Sequence, residues 1–411
     1  MRTQVIHHLA VACTLALIAA ACAAGAEAPR DTGTTRPATG TIDEPVRAVS
    51  EGCDPDEFHW RQRDCRPAAM IDVDEIFSGG PPPDGIPPID DPVFEPIDAA
   101  AEWLQDTSPV LVVELDDEVR LYPLAILTWH EIVNDRLGDE PIAVTYCPLC
   151  NSALVFSRTV DGPDGPEVLD FGTSGRLWRS NLVMYDRQHL GLWTQFTGQA
   201  IVGDRWLGTT LERIPSSLLG FGDAASLAPD AEVLSRETGR VFDYGRNPYV
   251  AYDAEDNSPR FFREDADPTL PEMTRIVGLG GETDATAITL DHLREERVVE
   301  VDLDGGPVTV WWAPGQASAL DTERIDEAAD VGQTVAFDAT HDGRTLRFEP
   351  SGDNRFVDDA TGSTWDLRGR AVDGPLAGDR LNAIARDDTF WFVWAVYRPT
   401  SELVGSAAVG R

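Results

Sequence analysis

From Val110 onward, apolar and polar positions alternate in short blocks separated by turn residues. Leu111-Val112-Val113-Glu114-Leu115 and Val119-Arg120-Leu121-Tyr122 flank the acidic pair Asp116-Asp117, a pattern that predicts a β-hairpin. Pro123 suits a first helical turn, where its missing N–H goes unused, and the spacing predicts a helix running to about Asp135 and ended by Gly138. Pro141 to Tyr146 reads as a strand that delivers Cys147, with Ala153 to Phe156 continuing beyond a turn. Phe171-Gly172-Thr173-Ser174-Gly175 lacks the spacing of a nucleophile elbow and reads as a strand end with a tight turn. The aromatic run Phe390-Trp391-Phe392-Trp394 with Tyr397 reads as a buried last strand, and Trp193 and Trp365 as core.

The same order of residues occurs twice. Leu124 matches Leu290, Leu127 matches Leu293, and Ile132-Val133 match Val298-Val299, all at one constant offset. Pro141 meets Pro307, Pro148 meets Pro314, and Ala153-Leu154 meet Ala319-Leu320 without a gap. Further on, Asp186, Trp193, Gly198, Gly203 and Leu211 find partners in Asp358, Trp365, Gly369, Gly374 and Leu381. Shared Pro, Trp and Gly positions are not a product of composition, so the chain contains a diverged internal duplication. The expected fold is α+β and β-rich: two diverged copies of a mostly antiparallel sheet unit with about one main helix each. Shared positions serve folding in both copies. Cys147, Cys150 and His130 instead face Ala313, Gln316 and Glu296, which directs the search for chemistry to the first copy.

The remaining segments lack this periodicity. Arg2, an apolar run from Leu9 to Ile18 and Ala19-Ala20-Ala21 before Cys22 read as an export signal, with Cys22 the residue a lipoprotein would acylate. Residues 1–22 are therefore expected to be a signal peptide of lipoprotein type. Residues 23–70 are expected to be a flexible tether carrying a Cys53–Cys65 disulfide, which suits an even cysteine count in an exported chain. Residues 71–215 form the first repeat, 216–270 a bridging segment and 271–411 the second, degenerate repeat. The protein is expected outside the cytoplasm, anchored to the membrane by lipid alone or secreted.

Net charge is −38, and the 33 basic residues are all Arg. The acidity argues against a nucleic-acid partner, which requires clustered basic residues. The absence of Lys removes a P-loop lysine and a Schiff-base lysine, and no nucleotide cofactor is indicated.

The candidate chemistry lies in Tyr146-Cys147-Pro148-Leu149-Cys150-Asn151. Two thiolates three residues apart can chelate one ion from a tight turn that Pro148 stiffens and that Asn151, tolerant of left-handed backbone, can close. His130 is the leading additional ligand, and His189 a weaker one. Thiolates with imidazole suit copper or zinc rather than calcium or magnesium. Glu131, Asn151, Asp186 and Arg187 are candidates to orient the site, with an Asp186–Arg187 ion pair at its rim. The same spacing supports a reversible disulfide when one thiol has a depressed pKa, or a plain structural disulfide.

Thr128-Trp129-His130-Glu131-Ile132-Val133-Asn134-Asp135 and Thr145-Tyr146-Cys147-Pro148-Leu149-Cys150-Asn151 resemble the signature of the bacterial family known as domain of unknown function 3179. Gly79-Gly80-Pro81-Pro82, Asn181-Leu182-Val183-Met184-Tyr185-Asp186-Arg187-Gln188, Asp243-Tyr244-Gly245-Arg246-Asn247-Pro248-Tyr249 and Phe390-Trp391-Phe392-Val393-Trp394 are similar to its other segments. The resemblance runs from about Asp74 to Leu403 and implies an exported protein without an established activity. The leading functional expectation is an extracytoplasmic metal-binding protein holding copper or zinc on Cys147, Cys150 and His130. The alternatives are a thiol–disulfide oxidoreductase using the cysteine pair, or a surface binding module with a structural disulfide.

Overall fold

A computed structural model describes residues 67–116, 118–281, 283–352 and 354–405. Cys22, Cys53 and Cys65 lie outside the described residues. The first copy opens on the hairpin β1 (Pro109–Leu115) and β2 (Glu118–Pro123), followed by helix α1 (Leu124–His130). Strands β3 (Ile132–Leu137), β4 (Glu140–Cys147) and β5 (Ser152–Ser157) come next. A second sheet uses β6 (Phe171–Trp178), β7 (Asn181–Asp186), β8 (Leu192–Thr194) and β9 (Ala200–Val202). The copy closes with β10 (Ser216–Gly220), α2 (Phe221–Leu227) and β11 (Glu232–Leu234).

The second copy repeats this order: β12 (Arg275–Gly280), β13 (Ala285–Thr289), α3 (Leu290–Glu296), β14 (Val298–Leu303), β15 (Gly306–Ala313) and β16 (Gln333–Asp338). Its second sheet holds β17 (Phe348–Pro350), β18 (Phe356–Asp358), β19 (Thr364–Trp365) and β20 (Ala371–Asp373). It ends on β21 (Arg386–Phe390), α4 (Trp391–Tyr397) and β22 (Glu402–Val404). The elements of α1 to β4 reappear residue for residue in α3 to β15, and those of β10 to β11 in β21 to β22. The protein is a strand-rich α+β fold built from two diverged copies. The first copy extends through Leu234, so the segment between the copies is 235–274 rather than starting at Ser216.

The copies exchange partners. One eight-stranded sheet runs β14–β15–β16–β10–β1–β2–β11 and ends on the edge strand Phe94–Pro96, joining three strands of the second copy to those of the first through Leu218 opposite Thr334. On the other side, β5–β4–β3 of the first copy meet β21–β12–β13–β22 of the second, with Phe390 N–H donating to Cys150 O at 3.3 Å. The cores are shared in the same way. Phe196 packs 4.7 Å from Tyr397 and 6.3 Å from Trp394 between ring centroids, while Phe221 and Ala224 join Trp311 and Trp365. Burying such aromatics stabilises each seam by roughly 1.5–3 kcal/mol per side chain.

Two elements differ from their sequence reading. The helix predicted to Asp135 stops at Glu131, whose φ of 59° ends it, and Ile132-Val133 turn into a strand opposite Thr145-Val144. Gly138, at φ 58°, makes the β3–β4 turn instead of ending the helix. The aromatic run from Trp391 to Tyr397 is a helix, not a strand. It is apolar on every face and buried almost throughout, so the contrast that distinguishes a two-residue from a 3.6-residue period is missing. Phe171-Gly172-Thr173-Ser174-Gly175 lies within β6, where the register shifts between Thr173 and Arg176. Gly175 is required there: φ is 68°, and a Cβ would come within 1.9 Å of Pro81 O.

Each copy ties its second sheet with one buried carboxylate. Asp186 accepts from His189 N (2.6 Å), Gly191 N (3.0 Å) and Trp193 Nε1 (2.9 Å). Asp358 accepts from Thr361 N (2.6 Å), Ser363 N (3.2 Å) and Trp365 Nε1 (3.0 Å). Removing either acceptor strands several buried donors. Asp358→Ala is therefore expected to lower unfolding free energy by roughly 2–4 kcal/mol in urea titrations, and a loss under about 1 kcal/mol would contradict this role.

Candidate functional site

The Cys-Pro-Leu-Cys segment is the turn of the β4–β5 hairpin, just past the last pair, Cys147 opposite Ser152. Cys150 N–H donates to Cys147 O at 3.2 Å and Asn151 N–H to Pro148 O at 3.3 Å. Asn151 takes φ 53°, the left-handed conformation its position called for. The turn is held from outside by both copies and by the connecting segment. Thr389 Oγ1 donates to Cys150 O at 2.8 Å, and Tyr252 OH to Leu149 O at 3.0 Å.

The two sulfurs stand 3.3 Å apart as free thiols. Burial pushes the Cys147 thiol up, but the hydrogen bond from Cys150 and the N–H groups of Leu182, Cys150 and Leu149 outweigh it and leave its pKa lowered. Burial, the bond to Cys147 and the charge there push Cys150 well above the ordinary thiol range. Asn181 Nδ2 donates to the Cys150 sulfur at 3.4 Å, and Ser180 O lies 3.4 Å from it. One sulfur is thus suited to be a thiolate and its neighbour to be the thiol that donates to it.

The cradle depends on a second turn. Arg179 and Ser180 join β6 to β7 with φ of 52° and 60°. Consecutive left-handed residues are the pattern of a type I′ hairpin, normally built from Asn and Gly. Here the turn brings Ser180 O, Asn181 and Leu182 N–H to the sulfurs, while the Arg179 guanidinium stacks 4.3 Å from the Trp178 ring. Strained backbone of this kind persists where its surroundings impose it.

Glu131 lies against the pair. Its carbonyl accepts Tyr146 N–H at 2.8 Å, and its carboxyl is held well above the usual range by burial and by the Cys147 charge. Arg297 occupies the equivalent helix end with φ 69°, so the left-handed conformation belongs to the fold of both copies. Arg297 spends its side chain on Trp312 O at 3.0 Å; only the first copy sets an acid beside cysteines.

His130 is turned to other partners. Its Nδ1 is 2.6 Å from Pro87 O and its Nε2 2.6 Å from Tyr244 OH. A carbonyl only accepts, so Nδ1 carries the proton and Nε2 accepts from Tyr244, whose oxygen meets Thr238 Oγ1 at 2.6 Å. Burial lowers the His130 pKa, Pro87 O opposes this, and the Arg240 charge adds to the lowering. His189 pairs with Glu167 at 2.7 Å. Asp186 is spent on its turn, and Arg187 pairs with Asp90 (2.6 Å) and Asp84 (3.3 Å) rather than with Asp186. Asn151 Oδ1 accepts from Tyr146 OH at 3.4 Å. Among the described residues, no three His, Cys, Asp or Glu side chains form a group that could hold a metal ion. The residues that sequence reasoning missed are Ser180, Asn181, Leu182, Thr389 and Tyr252.

Both sulfurs are covered, with Cys147 2% and Cys150 0% exposed. Residues 235–274 contain no helix or strand and lie over the site. Tyr252 OH reaches Leu149 O as above and accepts Arg260 N–H at 3.2 Å, and Arg260 O accepts from Ser180 Oγ at 2.7 Å. Tyr244 and His130 fasten the same segment nearby. Long connections without regular structure are the ones that open at low cost.

The fold and site define a two-copy, strand-rich α+β protein with a paired thiol in one copy. Residues 83–401 match the model of a family described as a protein of unknown function, DUF3179, and the chain belongs to that family. No curated protein and no solved structure matches it. No helix among the described residues is long and apolar enough to cross a membrane.

Tyr252→Phe removes the hydroxyl that bonds Leu149 O and Arg260 N–H while leaving the buried ring in place. Maleimide labelling of Cys147 in the folded protein is expected to speed up about tenfold, the factor given by roughly 1.4 kcal/mol of lost closure. Unchanged labelling would show that residues 235–274 do not control access.

Proposed function

We propose that this chain is an extracytoplasmic thiol–disulfide redox protein, with Cys147 as the attacking thiolate and Cys150 as the resolving thiol. The observation that carries the reading is the asymmetric pair: two sulfurs 3.3 Å apart, the Cys147 sulfur beside the N–H groups of Leu182, Cys150 and Leu149 and the Cys150 thiol against Ser180 O. The Cys147 thiolate attacks a disulfide of an oxidised partner, forming a mixed disulfide and releasing one partner thiolate. Cys150 gives its proton to that thiolate and attacks the Cys147 sulfur. The second partner thiolate leaves, and two electrons have passed from the dithiol to the partner. The export reading of Arg2 through Cys22 supports a place outside the cytoplasm, with Cys22 as the anchor.

Metal binding is the second reading, favoured by the N–H groups of Leu149 and Cys150 that serve the first sulfur of a Cys-Pro-Leu-Cys turn. Zinc takes four ligands, and His130 is committed elsewhere, so the donor set does not fit zinc. Two soft thiolates fit monovalent copper. Cys147 and Cys150 would hold it, and it would supply a one-electron redox centre or a transferable ion.

The test is the reduction potential of the Cys147–Cys150 pair, together with metal content after purification under mild reduction. A potential between about −300 and −120 mV, and a mixed disulfide trapped in Cys150→Ser but not in Cys147→Ser, is the expected result. A potential below about −300 mV would make the pair a structural staple. Stoichiometric copper that vanishes in Cys147→Ser/Cys150→Ser would transfer the assignment to the second reading.

A further inference from the structure

A second polar centre lies at the seam between the copies, where Glu114 of the first meets arginines of the second. Glu114 Oε1, at the end of β1, meets Arg368 Nη2 at 2.7 Å, Arg370 Nη2 at 2.7 Å and Arg380 Nη1 at 2.9 Å. Arg368 Nε also donates to Glu114 Oε2 at 3.0 Å. Elsewhere the balance runs the other way, with single arginines such as Arg120 and Arg187 each holding two carboxylates. In a chain of net charge −38, this place inverts the balance. Asp116 also lines the cleft, and Asp366 Oδ1 is occupied by the backbone N–H groups of Arg368 (2.9 Å) and Arg370 (3.0 Å).

The arginines are not needed to build the fold. Arg370 and Arg380 face each other across an isolated β-bridge, and the first copy makes the same bridge with Gln199 and Thr210. Leu381 N–H to Gly369 O and Leu211 N–H to Gly198 O, both 2.9 Å, confirm the correspondence. Thr197 stands where Arg368 does, and Gly280 where Glu114 does. The first copy thus folds this corner without any of the four charges.

The charged group borders an open cleft of about 410 Å³. Its floor includes Val112, Leu219 and Phe337, and Ser217, Asn382 and Arg380 border it. Arg370 and Arg380 side chains are each 39% exposed, whereas Glu114 is 9% exposed. Arg370 Nε is buried without a hydrogen-bond partner, a donor left over after Glu114 has been used. Guanidiniums in excess over carboxylates, next to an apolar floor, match a ligand with an acidic group on a small apolar body.

We propose that the cleft beside Glu114 and Arg380 binds a small organic anion, a carboxylate or phosphate ester, with Arg380 as the recognising guanidinium and Glu114 holding it in place beside Arg368 and Arg370. The long-range field of the chain repels anions, so affinity comes from these local contacts. The experiment uses calorimetric titration of the whole protein with phenyl phosphate, benzoate and inorganic phosphate, against sodium chloride at matched ionic strength. The variant is Arg370→Gln/Arg380→Thr, which installs the residues that make this bridge in the first copy. The expected result is saturable binding of phenyl phosphate or benzoate, weakened at least about tenfold in the variant, with inorganic phosphate weaker than the organic probes. Cooperative unfolding of the variant confirms that the loss is local. No saturable heat beyond the chloride control, equal affinity in the variant, or inorganic phosphate binding as tightly as the organic probes would each overturn the proposal.

Discussion

The exchange of strands between the two copies is the constraint on which the rest of the molecule depends. The edge of β5 is closed in part by Arg213–Ile214 of its own copy and at its turn end by the second copy, while β16 of the second copy pairs with β10 of the first. The cysteine turn sits at the end of the β3–β4–β5 meander. Its Cys150 carbonyl is satisfied by Thr389 and Phe390, which belong to the second copy. The second copy carries no cysteines, yet it holds the turn that carries them in the first. Its shared residues are kept by an obligation to its neighbour as well as to its own core.

This arrangement explains where the copies could diverge. The buried Asp–Trp turn survives twice because the donors around Asp186 and Asp358 would otherwise be stranded in the core. The left-handed residue that ends α1 and α3 survives as a backbone conformation while its side chain changes from Glu131 to Arg297. Positions fixed by backbone geometry but free in side chain are where a duplicated fold can acquire chemistry. One copy placed an acid and two thiols at its hairpin end, and the other placed arginines at its seam.

Much of the fold was legible because the duplication supplied an internal comparison. The constant offset located α3, β14 and β15, but the match of Ala153-Leu154 to Ala319-Leu320 missed the third strand, which the second copy makes with β16 after a longer connection. The turn chemistry of Cys147 to Asn151 was readable from residue types alone. The helix α4 was not readable, since a segment buried on all faces shows no period. The end of α1 was not readable either: a glutamate in a left-handed conformation gives no signal of the kind glycine gives. The same limitation hid the second wall of the site. Arg179-Ser180 makes a hairpin turn without Gly or Asn, so nothing in the sequence announced that Asn181 and Leu182 would meet the sulfurs. His130 looked like a ligand because it is near in sequence. The turn at Glu131 separates it from Cys147, and Pro87 and Tyr244 take both ring nitrogens.

The burial of the sulfurs and the asymmetry of their surroundings pull toward different functions. Full burial alone suits a staple that never reacts. A staple, however, gains nothing from N–H groups aimed at one sulfur, since these stabilise a thiolate that a permanent disulfide does not contain. It also gains nothing from a buried carboxyl beside that sulfur, which costs desolvation in either redox state. These features support the proposed reading, in which the reduced pair is a working state. The cover supplied by residues 235–274 then reconciles the two facts. On the proposed redox function it would shield the pair from indiscriminate oxidants, and it is fastened by hydrogen bonds and the isolated Arg246–Arg324 bridge rather than by strands. A closed site whose cover carries no strand of its own suits selective thiol chemistry.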